Sequence, residues 1–272
     1  MLELLMLAQN PERIPSATGD IRVIESFASE ATGRERRVQV WLPPGYSDSP
    51  EKSYPVLFLH DGQNVFDGAT SYIPNQEWRC DETAAMLIKA GLVEPMIMVA
   101  VDNAGAARAD EFLRNPIRGG RMIGGGKAHL YEKMLTDELL PQIRRDYRVS
   151  SGPLSVGALG SSFGGMISLH LGLSRPNIFG RIGVFSPSLW VNDGEMIAAV
   201  KSAEKLPERI YLDMGTAEGN GHIASRQLHE ILQGMTTDSV YLEEEGGLHD
   251  EAAWARRFGH ALLHLYPAQP KG

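Results

Sequence analysis

Leu154-Ser155-Val156-Gly157-Ala158-Leu159-Gly160-Ser161-Ser162-Phe163-Gly164-Gly165 decides how the rest of the chain is read. Small and apolar residues alternate into a serine flanked by Gly160 and Gly164, and Met166-Ile167-Ser168-Leu169-His170-Leu171 follows with the spacing of a helix. The pattern is G-x-S-x-G on a strand-to-helix turn. Such a turn forces its central serine into a strained backbone conformation, and glycines two residues to either side let strand and helix pass closely. Ser162, rather than Ser161, is therefore the candidate nucleophile. Its hydroxyl falls at a helix N-terminus, where the N–H of Phe163 and the helix dipole meet any negative charge that develops.

Strands and helices alternate on both sides of that turn. Tyr54-Pro55-Val56-Leu57-Phe58-Leu59 and Met96-Ile97-Met98-Val99-Ala100-Val101 are continuous apolar runs, as expected of strands buried on both faces. They end in polar residues, His60-Asp61-Gly62-Gln63-Asn64 and Asp102-Asn103. Beyond the serine, Arg181–Phe185 and Arg209–Met214 read as strands ending in Ser186-Pro187-Ser188-Leu189-Trp190 and in Gly215–Gly221, and Ser239–Leu242 is the last. Periodicity predicts helices over 82–90, 131–147 (bent at Pro141), 195–204, 223–235 and 251–265. Residues 21–43 alternate as an antiparallel hairpin around Ala31-Thr32-Gly33, whereas 104–127 is rich in Gly and Arg and aperiodic, as in a loop or lid over a site. The expectation is an N-terminal extension at 1–20 and one α/β-hydrolase domain over 21–272. Its sheet would be mostly parallel, led in by the antiparallel hairpin and covered by helices on both faces.

Composition narrows the function. A net charge of −8 over 272 residues argues against a nucleic-acid or anionic-membrane partner and suits a small-molecule or oligosaccharide substrate. Cys80 is the only cysteine, so neither an intrachain disulfide nor a cysteine zinc site can form. His260 and His264 stand one helical turn apart without a third ligand in register, and no metal or cofactor is expected. Gly124-Gly125-Gly126-Lys127 is no phosphate loop, because Arg121 and Ala128 occupy positions that need Gly and Ser or Thr. The apolar Met1–Gln9 is too short to span a bilayer and lacks a basic start, which leads to the expectation of a cytoplasmic protein.

In a parallel sheet the loops after the strands line one crevice. A serine hydroxyl there needs a base to take its proton, and the base needs a carboxylate to hold its tautomer. The chain supplies serine, acid and histidine in the α/β-hydrolase order. His249, on the glycine-flexed loop before the last helix, is the candidate base; His60, at the end of an earlier strand, is read as lining the oxyanion loop. Glu218 and Asp213 compete as the acid: Asp213 lies within a strand pattern, and Glu218 in the loop beyond reaches more naturally. Asp250 and Glu251 read as first-turn helix acids. The oxyanion donors expected are the N–H groups of Phe163 and Gly62.

These residues resemble the "Putative esterase" family of α/β hydrolases, which takes in feruloyl and acetylxylan esterases, siderophore esterases and S-formylglutathione hydrolases. The likeness spans about residues 35 to 265 and runs through Trp41-Leu42-Pro43-Pro44-Gly45-Tyr46, Leu59-His60-Asp61-Gly62-Gln63-Asn64, Gly160-Ser161-Ser162-Phe163-Gly164-Gly165 and Phe185-Ser186-Pro187-Ser188-Leu189-Trp190. The resemblance implies a serine carboxylesterase working through an acyl-enzyme, with Ser162 as nucleophile, His249 as base and the acid in the loop after Met214. Glu218 is a mild departure there, since many members carry an aspartate. It implies substrate contacts at Gln63 and Trp190. It points to an acylated carbohydrate or a feruloyl-type phenolic ester; a siderophore trilactone esterase is the rival, for which Arg108, Arg114, Arg118 and Arg121 would form the anion-binding patch. A hydrolase fold serving only for binding is the reading outside catalysis.

Overall fold

The computed structural model describes residues 11–119 and 123–268; Met1–Gln9 and Arg121 lie outside them. Eight strands form one sheet in the order β1-β2-β4-β3-β5-β6-β7-β8. The entry hairpin is β1 (Asp20–Ser29) and β2 (Arg34–Leu42), and β2 runs antiparallel against β4 (Ile97–Val101). From there on every pairing is parallel, through β3 (Val56–His60), β5 (Val156–Ser161), β6 (Arg181–Phe185), β7 (Arg209–Gly215) and β8 (Asp238–Glu244). Central strands β3, β4, β5 and β6 are buried at every position, because helices cover both faces and no face is left to be polar.

One face carries α2 (Arg108–Phe112), α3 (Ala128–Lys133), α4 (Leu140–Asp146), α5 (Phe163–Ser174), α6 (Glu195–Lys201) and α7 (Gly221–Gln233); the other carries α1 (Cys80–Lys89) and α8 (Glu251–Leu265). The helix expected to bend at Pro141 instead takes a π-helical turn at Met134–Leu139 between α3 and α4. Proline lacks an N–H and its ring crowds the preceding turn, and a wider turn just before it relieves both. The aperiodic stretch after Asn103 is not all loop, since α2 lies inside it. Residues 12–18 lie along the segment 67–81. Arg13 donates to the carbonyls of Ala69 and Ser71, both at 2.9 Å, and Thr18 N–H to Asp81 Oδ2 at 2.6 Å.

Candidate active site

Ser162 caps α5 with φ 58° and ψ −120°, a conformation that non-glycine residues hold only under compulsion, at a cost on the order of 1–3 kcal/mol. The compulsion is visible in its surroundings. Ser162 N–H donates to Phe185 O at 2.9 Å, which extends the β5–β6 ladder one residue past the strand. A Cβ on Gly160 would come within 2.9 Å of the Gly164 backbone, and one on Gly164 within 3.2 Å of the Asp61 carboxylate. Gly160 is thus required by the close passage of strand and helix, and Gly164 by the approach of the Asp61 carboxylate. The Ser162 hydroxyl lies 3.3 Å from that of Ser188.

The loops after β7 and β8 bring Glu218 and His249 together, Nδ1 to Oε2 at 2.5 Å. The histidine side chain is 44% exposed and the glutamate 2%. Glu218 Oε1 accepts from the Ser186 hydroxyl at 2.7 Å and from Gly215 N–H at 2.8 Å. Burial pushes the Glu218 carboxyl up, but hydrogen bonds from His249, Ser186 and Gly215 outweigh it and hold the group below its ordinary value. An ionised carboxylate only accepts, so His249 Nδ1 carries a proton and donates it to Glu218, which leaves Nε2 as the ring nitrogen turned away from the acid. Asp213, the competing acid, is fully buried within β7. It accepts the Ser186 N–H at 3.1 Å, and no hydrogen bond joins it to His249 among the described residues.

A cavity of about 460 Å³ opens beside these groups, lined by Ser162, His249, Gln63, Asn103, Arg108, Tyr72 and Trp254 among others. It brings the serine and the histidine, 87 positions apart in the chain, to one wall. A second cleft of about 300 Å³ on the other side of His249 is lined by Ser188, Trp190, Met214 and Ala224. Trp190 is 60% exposed there, so it is a wall of the site and no core residue. Gln63 lines the first cavity and its Oε1 accepts the Asn103 N–H at 3.3 Å.

One sequence expectation needs correcting, and two residues do more than the sequence reading gave them. His60 does not line the oxyanion loop: it is buried, its Nδ1 is 3.0 Å from the Tyr131 hydroxyl, and burial pushes its pKa down to about 3, so it is a neutral core residue. Gly62 packs against β4, where a Cβ would meet Val101 N at 2.6 Å; the cavity wall at this turn is formed by its neighbours Asp61 and Gln63. Glu251 is in the first turn of α8, yet it also lines the cavity, where Asn64 Nδ2 donates to it at 3.4 Å.

The sequence reading missed the supports of the site. Asp61, itself at φ 56°, accepts from Arg108 Nε and Nη2 at 2.6 and 2.8 Å and from Asn103 Nδ2 at 2.6 Å. Burial raises its pKa, and the Arg108 charge and these hydrogen bonds bring it below the ordinary carboxylate range. On the other side, Arg257 of α8 is 1% exposed and faces Asp213, Glu218 and Glu244. The signal for Arg257 was there: Trp254, Arg257, Phe258 and Ala261 share one i, i+3, i+4, i+7 stripe, and an arginine on an apolar stripe must find buried anions.

The parallel sheet with its antiparallel lead-in, and the strained serine between β5 and α5, define an α/β-hydrolase fold. The family described as "Putative esterase" matches residues 29–265, and the chain belongs to that family and is a carboxylic ester hydrolase. It is 26% identical over 254 residues to the uncharacterized protein YbbA of Bacillus subtilis, which covers 88% of this chain and 95% of that one. It is 27% identical over 245 residues to the endo-1,4-beta-xylanase/feruloyl esterase of Xylanibacter ruminicola, with 88% of this chain and 30% of that protein covered. Among solved structures, the enterobactin esterase FES from Shigella flexneri in the presence of enterobactin superposes with a TM-score of 0.72 at 23% identity, over 94% of this chain and 61% of that one. The chain therefore spans less than a third of the Xylanibacter enzyme and under two thirds of FES. Among the described residues no helix is long and apolar enough to cross a membrane.

Proposed function

We propose that the protein hydrolyses its ester through an acyl-enzyme with Ser162 as nucleophile, His249 as base and Glu218 as the acid. The carrying observation is the pairing of a strained serine at a helix N-terminus with an imidazole in the same cavity whose Nδ1 is bonded to a buried carboxylate. As Ser162 Oγ attacks the carbonyl carbon, His249 Nε2 takes its proton. The carbonyl oxygen becomes an oxyanion facing the Phe163 N–H, one of the unpaired donors of the first turn of α5, and a second N–H from the Gly62-Gln63 turn. Collapse breaks the C–O bond, and the imidazolium returns the proton to the departing alkoxide. Water then repeats the sequence on the acyl-enzyme.

Substrate choice follows from charge. Of the arginines considered for anion binding, Arg108 lines the cavity, and two of its nitrogens are bonded to Asp61; Arg114 and Arg118 are exposed and do not line it. With Asp61 and Glu251 also in the wall, the cavity favours a neutral acyl group over a catecholate trilactone. Tyr72, 80% exposed, and Trp190 offer one ring to each cleft, which suits an acylated carbohydrate or a feruloyl-type phenolic ester. Rates on methyl ferulate, acetylated xylan and a catecholate trilactone test this, and preference for the trilactone would overturn it. Ser162→Ala should lower p-nitrophenyl acetate hydrolysis by roughly a millionfold and abolish fluorophosphonate labelling.

A further inference from the structure

We propose that Arg257, acting through the Ser186 hydroxyl, is a positioning residue that keeps Glu218 ionised and aimed at His249; the inference rests on the Ser162–His249–Glu218 reading above. The geometry of one hydroxyl carries it. Ser186 Oγ has two donors on it, Trp254 Nε1 at 3.0 Å and Arg257 Nη2 at 3.0 Å. Neither group can accept a hydrogen bond. The serine proton therefore has one direction left, and Glu218 Oε1 lies there at 2.7 Å. A hydroxyl with both lone pairs and its proton committed is fixed in orientation, and it passes that fixity to the carboxylate. Ser186 is held at φ 40° to do this.

Charge gives the arginine its second task. Its Nη2 is 3.5 Å from Glu218 Oε1, and its Nε is 3.6 Å from Asp213 Oδ2 and 3.5 Å from Glu244 Oε2. Glu244 has a partner of its own in Arg256, at 2.8 Å. Arg257 is thus the cation shared by two fully buried carboxylates, and a buried carboxylate without a cation takes up a proton. Glu218 receives three hydrogen bonds, from Ser186, Gly215 and His249, so the negative charge settles on it. The other ionisable groups nearby are Tyr211 from β7 and Tyr241 from β8, which face Asp213, and Glu251 from α8, which faces His249.

The test is the pH profile of kcat/KM on p-nitrophenyl acetate for Arg257→Met, Arg257→Lys, Ser186→Gly and Glu218→Gln. Loss of the cation should cut kcat on the order of tenfold to a hundredfold with KM little changed. It should also move the acidic limb to higher pH, because Glu218 then holds a proton longer and an ionised Glu218 binds the imidazolium more strongly. Arg257→Lys should restore the limb and part of kcat. Ser186→Gly, which suits the positive φ and keeps the cation, should give a smaller loss with a smaller shift, and it decides the matter if Arg257→Met does not fold. Folded Arg257→Met and Ser186→Gly enzymes with the wild-type limb and kcat would overturn the proposal. If Glu218→Gln loses activity while those two do not, the positioning role alone fails; if Glu218→Gln is as active as wild type, the acid assignment falls and the role with it.

Discussion

Ser162 stands between two buried carboxylates that face arginines, and the two pairs are built differently. On the N-terminal side Asp61 and Arg108 meet one to one, with two hydrogen bonds at 2.6 and 2.8 Å. On the C-terminal side Arg257 is spread among Asp213, Glu218 and Glu244 at 3.5–3.6 Å. A closed pair has no charge left over and acts as a brace, here for a left-handed turn whose next residues wall the cavity. An open cluster with more anions than cations has negative charge to give, and His249 is where it is given. The fold places both around one serine, and only the second is wired to His249.

The largest effect that could break this contrast is the difference between neutralising the two carboxylates. Glu218→Gln should lower kcat by on the order of 10³–10⁴-fold, since an amide neither fixes the Nδ1–H tautomer nor stabilises the imidazolium. Asp61→Asn should keep activity within about tenfold, because asparagine tolerates the positive φ and catalysis asks Asp61 only for shape. Equal losses in the two variants, measured by single-turnover kinetics, would erase the distinction. Stability should rank the other way. Arg108→Met strands the Asp61 carboxylate and should cost about 3 kcal/mol in urea unfolding, the low end of the range for broken buried pairs, because Arg108 is 26% exposed. The Asp61 pKa is depressed, so this stabilisation is present above its unfolded value near pH 4 and is lost as pH falls through the folded value. The deficit of the variant should accordingly shrink in acid.

What could be read from the sequence and what could not divide along the same line. The sheet, the hairpin, α8 and the elbow at Ser162 were legible because period and glycine spacing are local properties, and α8 spans Glu251–Leu265 as its periodicity predicts. His249 and Glu218 were legible as residues in loops after strands, since topology alone delivers such loops to one crevice. Arg108 was not: it is one of four arginines in an aperiodic stretch, and nothing local shows that it folds back onto Asp61, 47 positions away. That Gly62 also packs on β4, with no room for a side chain, was not legible either, because the contact is between segments distant in the chain. The π-helical turn before Pro141 escaped because periodicity reports which face is buried, and Leu135, Leu139 and Ile143 stay buried through it.

The smallest expected effect is thermal, and it probes which member of the open cluster carries the proton. Burial raises the Asp213 pKa to about 7, against the pull of Arg257 and of the Ser186 N–H. Its unfolded value is near 4, so between those limits the folded protein holds a proton that the unfolded chain has lost. Stability on this account falls as pH rises from about 4 to about 7, the opposite slope to that from Asp61. In Asp213→Asn the amide oxygen can still accept the Ser186 N–H, and the side chain never ionises. The variant should then gain a few degrees in Tm over wild type at pH 8.5 and little or nothing at pH 5, a degree or so for each fraction of a kcal/mol in a chain of this size. Its kcat should stay within about tenfold of wild type, since Arg257 is released to Glu218. A gain in Tm already as large at pH 5 as at pH 8.5 would mean that Asp213 carries the charge throughout. Arg257 would then be neutralised from the β7 side, and the surplus that separates this cluster from the Asp61–Arg108 brace would have to come from Glu218 and Glu244 alone.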